Sequence, residues 1–167
     1  MIVLPLQPAF ADWGSPIAWM AEGASIKGQT RVVLYSLSND TGETLDVEVV
    51  QAISETIRNR LIEDGFEIVS SDDTVSQQNT FTLKTSVIFC PPGSVSGRWV
   101  GFGAGAAVCI IRSYLLKPES KDPIGEIIVV KQVEGGGIFS AGAEKSVARK
   151  IAKDLVKEIT ILVGLEN

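Results

Sequence analysis

The run Ala104-Gly-Ala-Ala-Val-Cys-Ile-Ile-Arg-Ser-Tyr-Leu-Leu116 is answered, after a turn at Lys117 to Asp122 flanked by Pro118 and Pro123, by Gly125-Glu-Ile-Ile-Val-Val-Lys-Gln-Val133. The second half of the first run and most of the second are β-branched or apolar. The short proline-bounded turn between them predicts two strands that return antiparallel. Phe81 to Cys90, upstream, alternates Phe81, Leu83, Val87 and Phe89 against Thr82, Lys84 and Ser86, the period of a half-buried strand, and Pro91-Pro92-Gly93 ends it. An antiparallel meander is the expected result.

Further upstream the period changes. Val49, Val50, Ile53, Ile57 and Leu61 share one helical face between Leu45 and Asp64, and Gly65 supplies a left-handed stop. Arg31 to Leu37 before this helix and Phe66 to Ser70 after it read as strands, so strand, helix and strand suggest a crossover unit. Downstream of the meander, Gly135-Gly136-Gly137 forms a corner. A last helix from about Gly142 to Val163 buries Val147, Ala148, Ile151, Ala152, Leu155, Val156, Ile159 and Leu162, with Lys145, Arg149, Lys150, Lys153 and Lys157 outside. The predicted fold class is α+β: one mixed, largely antiparallel sheet of four to five strands with two helices on one face. An irregular N-terminal arm over residues 1–29 precedes the single domain of residues 30–167.

The composition excludes several partners. At 167 residues the chain is long enough for one core without disulfides or metal, and 45% hydrophobic with 21% charged residues is globular rather than disordered. A net charge of -5 and a pI near 4.8 disfavour nucleic acid. The best apolar run, Trp99 to Ile111, is shorter than the roughly 18 residues a membrane helix needs. Met1 to Phe10 is apolar, and Ala9-Phe10-Ala11 has the small-x-small form of a signal-peptidase site without a basic stretch before it. Two readings stay open: the tail of an export signal, or an extended arm. Cys90 and Cys109 read as small core hydrophobes, because a simple hairpin would set them too far apart to bridge.

The chain contains no histidine, which removes Ser-His and Cys-His systems and the commonest zinc ligand. Gly101-Phe102-Gly103-Ala104-Gly105 lacks the preceding strand and following helix of a dinucleotide fingerprint, so it reads as a glycine-rich strand entrance rather than a phosphate cradle. Asp72-Asp73 and Glu43 with Asp46 sit in a polar loop or at a helix start, where acids favour solvent or the helix dipole. Asn39-Asp40-Thr41 matches a glycosylation sequon but is accounted for by a turn. No catalytic, cofactor-binding or metal-ligating residue is assigned, and no cofactor is expected. The basic stripe of the last helix reads as a solvated face, with an acidic partner or membrane surface as the other reading. Energy-rich contact residues are sought among large apolar and cationic side chains in irregular or glycine-rich stretches, namely Trp13, Trp19, Met20, Arg98, Trp99, Gly101, Phe102 and Gly103.

From Ser96-Gly97-Arg98-Trp99-Val100-Gly101-Phe102-Gly103-Ala104-Gly105-Ala106-Ala107 through Val108 to Leu116, Gly125-Glu126, Gly135-Gly136-Gly137-Ile138-Phe139 and the alanine- and lysine-containing last helix, the chain resembles the bacterial domain-of-unknown-function 4410 family of exported and lipid-anchored proteins. With the first strand and helix, the resemblance covers about Arg31 to Val163. It implies a strand-helix-strand-strand-strand-helix envelope module in the periplasm or at the outer membrane, and it carries no catalytic residues. This chain departs from the lipid-anchored members in having no lipobox cysteine.

The expectation is a non-enzymatic bacterial envelope protein that works by protein-protein contact, as a homo-oligomer or a subunit of a larger assembly, with no nucleic acid and no transmembrane span but with possible peripheral membrane association. The alternative is a small-molecule or glycan-binding module that stacks its ligand on tryptophan.

Overall fold

The computed structural model describes residues 15–70, 78–90, 107–118, 120–133 and 143–165. In chain order these form β1 (Ile17–Met20), β2 (Arg31–Leu34), β3 (Ser38–Asn39), α1 (Val47–Glu63), β4 (Glu67–Val69), β5 (Thr80–Phe89), β6 (Ala107–Leu116), β7 (Pro123–Val133) and α2 (Ala143–Val163). The class is α+β, with a mixed sheet of seven strands rather than four or five. The order across it is β1-β7-β6-β5-β2-β4, with β3 beside β5 beyond the end of β2. The two additional pieces are β1, inside the stretch expected to be an irregular arm, and β3, of two residues.

The crossover and the meander both form. β2 pairs in parallel with β4 on one side and β5 on the other, and α1 makes the connection from β2 towards β4. β5, β6, β7 and β1 are antiparallel neighbours in turn. Local chemistry fixes the ends of α1. Asp46 caps it, its carboxylate accepting the Glu48 N–H at 2.8 Å. At the other end Gly65 takes φ +91°, while the Phe66 N–H reaches Leu61 O at 2.8 Å and the Gly65 N–H reaches Ile62 O at 3.1 Å. This paired closure is available to a residue without Cβ, and it drops Phe66 into the core.

Both helices cover one face of the sheet. Val49, Ile53, Ile57 and Leu61 of α1 and Val147, Ile151, Leu155 and Ile159 of α2 join Phe81, Leu83, Ile111, Leu115, Ile127 and Val129 in one buried cluster. The helices run side by side in the same direction: Lys145 pairs with Glu48 at their N-terminal ends, and Thr160 Oγ1 donates to Asp64 Oδ2 at 3.1 Å at their C-terminal ends. Lys131 of β7 pairs with Asp154 of α2 across the two layers.

The expected alternation of β5 holds only as far as Val87. The pairing runs Thr85↔Ser113, Ser86↔Arg112, Val87↔Ile111 and then Phe89↔Ile110, so β5 carries one extra residue at Ile88. A bulge of this kind reverses which parity faces the core. Phe89, expected on the core side, is therefore 47% exposed. Cys90 instead follows Phe89 to the position opposite Cys109, and the two are joined by a disulfide with a Cα–Cα separation of 4.2 Å. This corrects the expectation of two unbridged core thiols: the simple hairpin assumed there omits the bulge.

Candidate interaction surface

Side chains of directly opposed strand residues point to the same side of a sheet, so the register defines what the helix-free face presents. One transverse row reads Trp19, Glu126, Tyr114 and Lys84 across β1, β7, β6 and β5. Lys84 Nζ stands 4.6 Å from the ring centre of Tyr35, which extends the row past the end of β2. The next row reads Ile17, Ile128, Arg112, Ser86 and Ser38, and Val130, Ile110 and Phe89 follow. Arg112 Nε lies 2.9 Å from Glu126 Oε1, tying the first two rows together. The guanidinium also sits 6.0 Å from the Tyr114 ring centre, at the limit of cation–π range.

This face therefore mixes aromatic and aliphatic side chains with one internally paired charge set. Its exposed large hydrophobic members lie at the margins: Ile17 and Trp19 on β1, at 54% and 55% exposure, Phe89 at the end of β5, and Tyr35 past the end of β2. β1 is also the last strand of the sheet on its side. Among the described residues its outer row of backbone N–H and C=O groups lies outside the ladder, the usual template for pairing with another chain.

Of the contact residues expected from sequence, Trp19 lies on this surface. Met20 does not: it faces the helices, half-buried against the core above Gly125. Trp13, Arg98, Trp99, Gly101, Phe102 and Gly103 lie outside the described residues. Ile17, Phe89, Tyr35 and the Arg112–Glu126 pair were not singled out from sequence. Ile17 alone carried a signal, as an apolar residue two positions from Trp19 and hence on the same side of a strand. A cavity of about 380 Å³ lies between the end of β2 and α1, bordered by Leu34, Leu37, Val50, Ile57, Arg58 and Thr85 among others. Among the described residues no indole contributes to its lining. Among the described residues no group of His, Cys, Asp or Glu is placed to hold a metal ion, and no helix is long and apolar enough to cross a membrane.

No protein-family model matches the chain, so the resemblance to the domain-of-unknown-function 4410 family has no family match behind it, and no curated protein matches the chain. Solved bacterial structures share its fold. The PelC dodecamer from Paraburkholderia phytofirmans is 15% identical with a TM-score of 0.51, covering 85% of this chain and 96% of that one. A hypothetical protein of Chlamydia trachomatis is 11% identical with a TM-score of 0.54, covering 81% and 99% respectively. A Xanthomonas campestris protein described as DUF330 is 12% identical with a TM-score of 0.51, covering 90% and 95%. At these identities the likeness is one of fold.

Proposed function

We propose that this chain is a non-enzymatic protein of the bacterial cell envelope, periplasmic or outer-membrane-associated, which acts through protein-protein contact and assembles with copies of itself. The observation that carries this reading is β1: an outermost antiparallel strand whose two outward side chains, Ile17 and Trp19, are more than half exposed. Large apolar side chains on a strand whose outer backbone groups have no ladder partner among the described residues are what a partner strand or sheet face would cover. Two further observations support it. PelC, of similar fold, is a dodecamer. The Cys90–Cys109 disulfide suits an oxidising compartment such as the periplasm.

Multi-angle light scattering of the full chain tests the reading. The expected mass is a defined multiple of 17.8 kDa. Trp19→Ser with Ile17→Asn should return it to monomer with an unchanged circular dichroism spectrum, since both side chains lie outside the core. A wild-type monomer at all concentrations overturns self-assembly. The exposed Trp19 indole also favours a second reading, stacking of a small ligand or glycan, which indole fluorescence would report during oligosaccharide titration.

A further inference from the structure

The outer face of α2 carries a charge pattern opposite to that of the molecule. Ser146, Arg149, Lys150, Lys153, Lys157 and Ile161 are exposed, and at 3.6 residues per turn they fall within an arc of about 120°. No acid lies in that arc. Asp154, half-buried on its flank, takes the Lys131 ammonium, and Glu158, also half-buried, has a partner of its own. Glu48 of α1 pairs with Lys145 at the margin. Arg149, Lys150, Lys153 and Lys157 are thus four cations on one helix face, none in an ion pair among the described residues, in a chain of net charge -5. Lys145, Ser146, Arg149, Lys150 and Lys153 border a shallow depression of about 370 Å³.

The same face changes character at its C-terminal end. Ile161 is 45% exposed and Leu165 39%. On α1, Ile62 is also exposed, two residues before the Asp64 carboxylate that accepts the Thr160 hydroxyl. Cations along a helix with exposed aliphatics at one end suit a surface that is anionic outside and apolar beneath. A nucleic acid offers the charge but no apolar layer for isoleucine and leucine to enter.

We propose that the outer face of α2 docks peripherally on anionic phospholipid headgroups, with Arg149, Lys150, Lys153 and Lys157 on the phosphates and Ile161 and Leu165 entering the interface. The face lies on the opposite side of the molecule from Trp19, so this proposal does not depend on self-assembly through the sheet.

Co-sedimentation of the full chain with large vesicles tests it. Binding is expected to phosphatidylcholine vesicles containing about a third phosphatidylglycerol, not to pure phosphatidylcholine, and it should fall steeply between 0.1 and 0.5 M salt on the order expected from screening. Lys150→Gln, Lys153→Gln and Lys157→Gln should each weaken it about five-fold, the equivalent of roughly 1 kcal/mol per cation near the surface. Ile161→Ser with Leu165→Ser should remove the part that survives salt. All these side chains are exposed, and an unchanged melting temperature shows the variants folded. Absent binding, equal binding to both vesicle types, or lysine variants that bind like wild type would overturn the proposal. So would polyglutamate or duplex DNA competing as effectively as anionic vesicles, which would make the face a general polyanion site.

Discussion

Cys90 lies opposite Cys109 because β5 carries one residue more than its partner between Val87 and Phe89. With unbroken alternation Cys90 would share the parity of the outward-facing residues and oppose Val108. The extra residue moves Phe89 to the outer face and turns Cys90 inward, onto the buried Cys109. One backbone irregularity thus sets both an exposed aromatic and a covalent link.

The link closes a segment of 19 residues in sequence separation, and in the chain-entropy model a loop of that size is worth about 3 kcal/mol. Cys90→Ser with Cys109→Ser is expected to lower the melting temperature by roughly 10 °C, at about 2–4 °C per kcal/mol for a chain of this size. Thiol titration of the unreduced, denatured protein should find no free thiol, because Cys90 and Cys109 are the chain's two cysteines. Two titratable thiols would show the bridge absent.

Gly125 allows β1 to join the sheet. A Cβ there would stand 2.9 Å from the Trp19 carbonyl oxygen and 3.3 Å from Leu115 Cδ1, with the Met20 sulfur also in the way. Gly125→Ala is expected to cost about 1–3 kcal/mol, as overpacking does. Amide exchange should accelerate over Ile17 to Met20 more than in β5 or β6. Adding Met20→Ala should restore only part of the loss, since the Trp19 carbonyl is backbone and cannot rotate away. Full restoration would show that the sulfur alone was the obstacle.

The elements with many periods were legible in the sequence, and the short strands β2 and β4 were legible as β-rich runs on either side of α1. α1 and α2 span 17 and 21 residues, and β5, β6 and β7 ten or more each, so the error at any one position averages out. β1 has four residues, three of them exposed, and its pattern contains no alternation to find; it is a strand because β7 offers it a ladder. The Phe89 and Cys90 expectations failed for another reason. Alternation propagates a face assignment from residue to residue, and a single bulge reverses every assignment beyond it. At the site, Trp19 stood out as a large aromatic in an aperiodic stretch. Sending Met20 to the opposite side required knowing that it pairs with Gly125.

Asp46 contributes as the cap of α1. Its carboxylate accepts the Glu48 N–H, a donor that has no partner within the helix. Asp46→Ala should cost about 1 kcal/mol and lower the melting temperature by a few degrees. Asp46→Ser should recover most of that, and a serine no better than alanine would place the aspartate's contribution elsewhere.

Thr85 and Ser113 face each other across β5 and β6 on the helix side, their hydroxyl oxygens 2.9 Å apart and both residues buried. Each hydroxyl is costly to bury alone and inexpensive when paired, so the two should be strongly coupled. Thr85→Val keeps the shape but strands the Ser113 hydroxyl among Leu83, Leu115 and Ile127, at a cost of about 1–3 kcal/mol. Removing both hydroxyls with Thr85→Val and Ser113→Ala should be milder than the sum of the single changes, because no buried donor is left without an acceptor. The check is a double-mutant cycle by urea denaturation. A coupling energy near zero would mean that each hydroxyl is satisfied independently of the other, and that the register Thr85↔Ser113 is held by the surrounding aliphatic side chains alone.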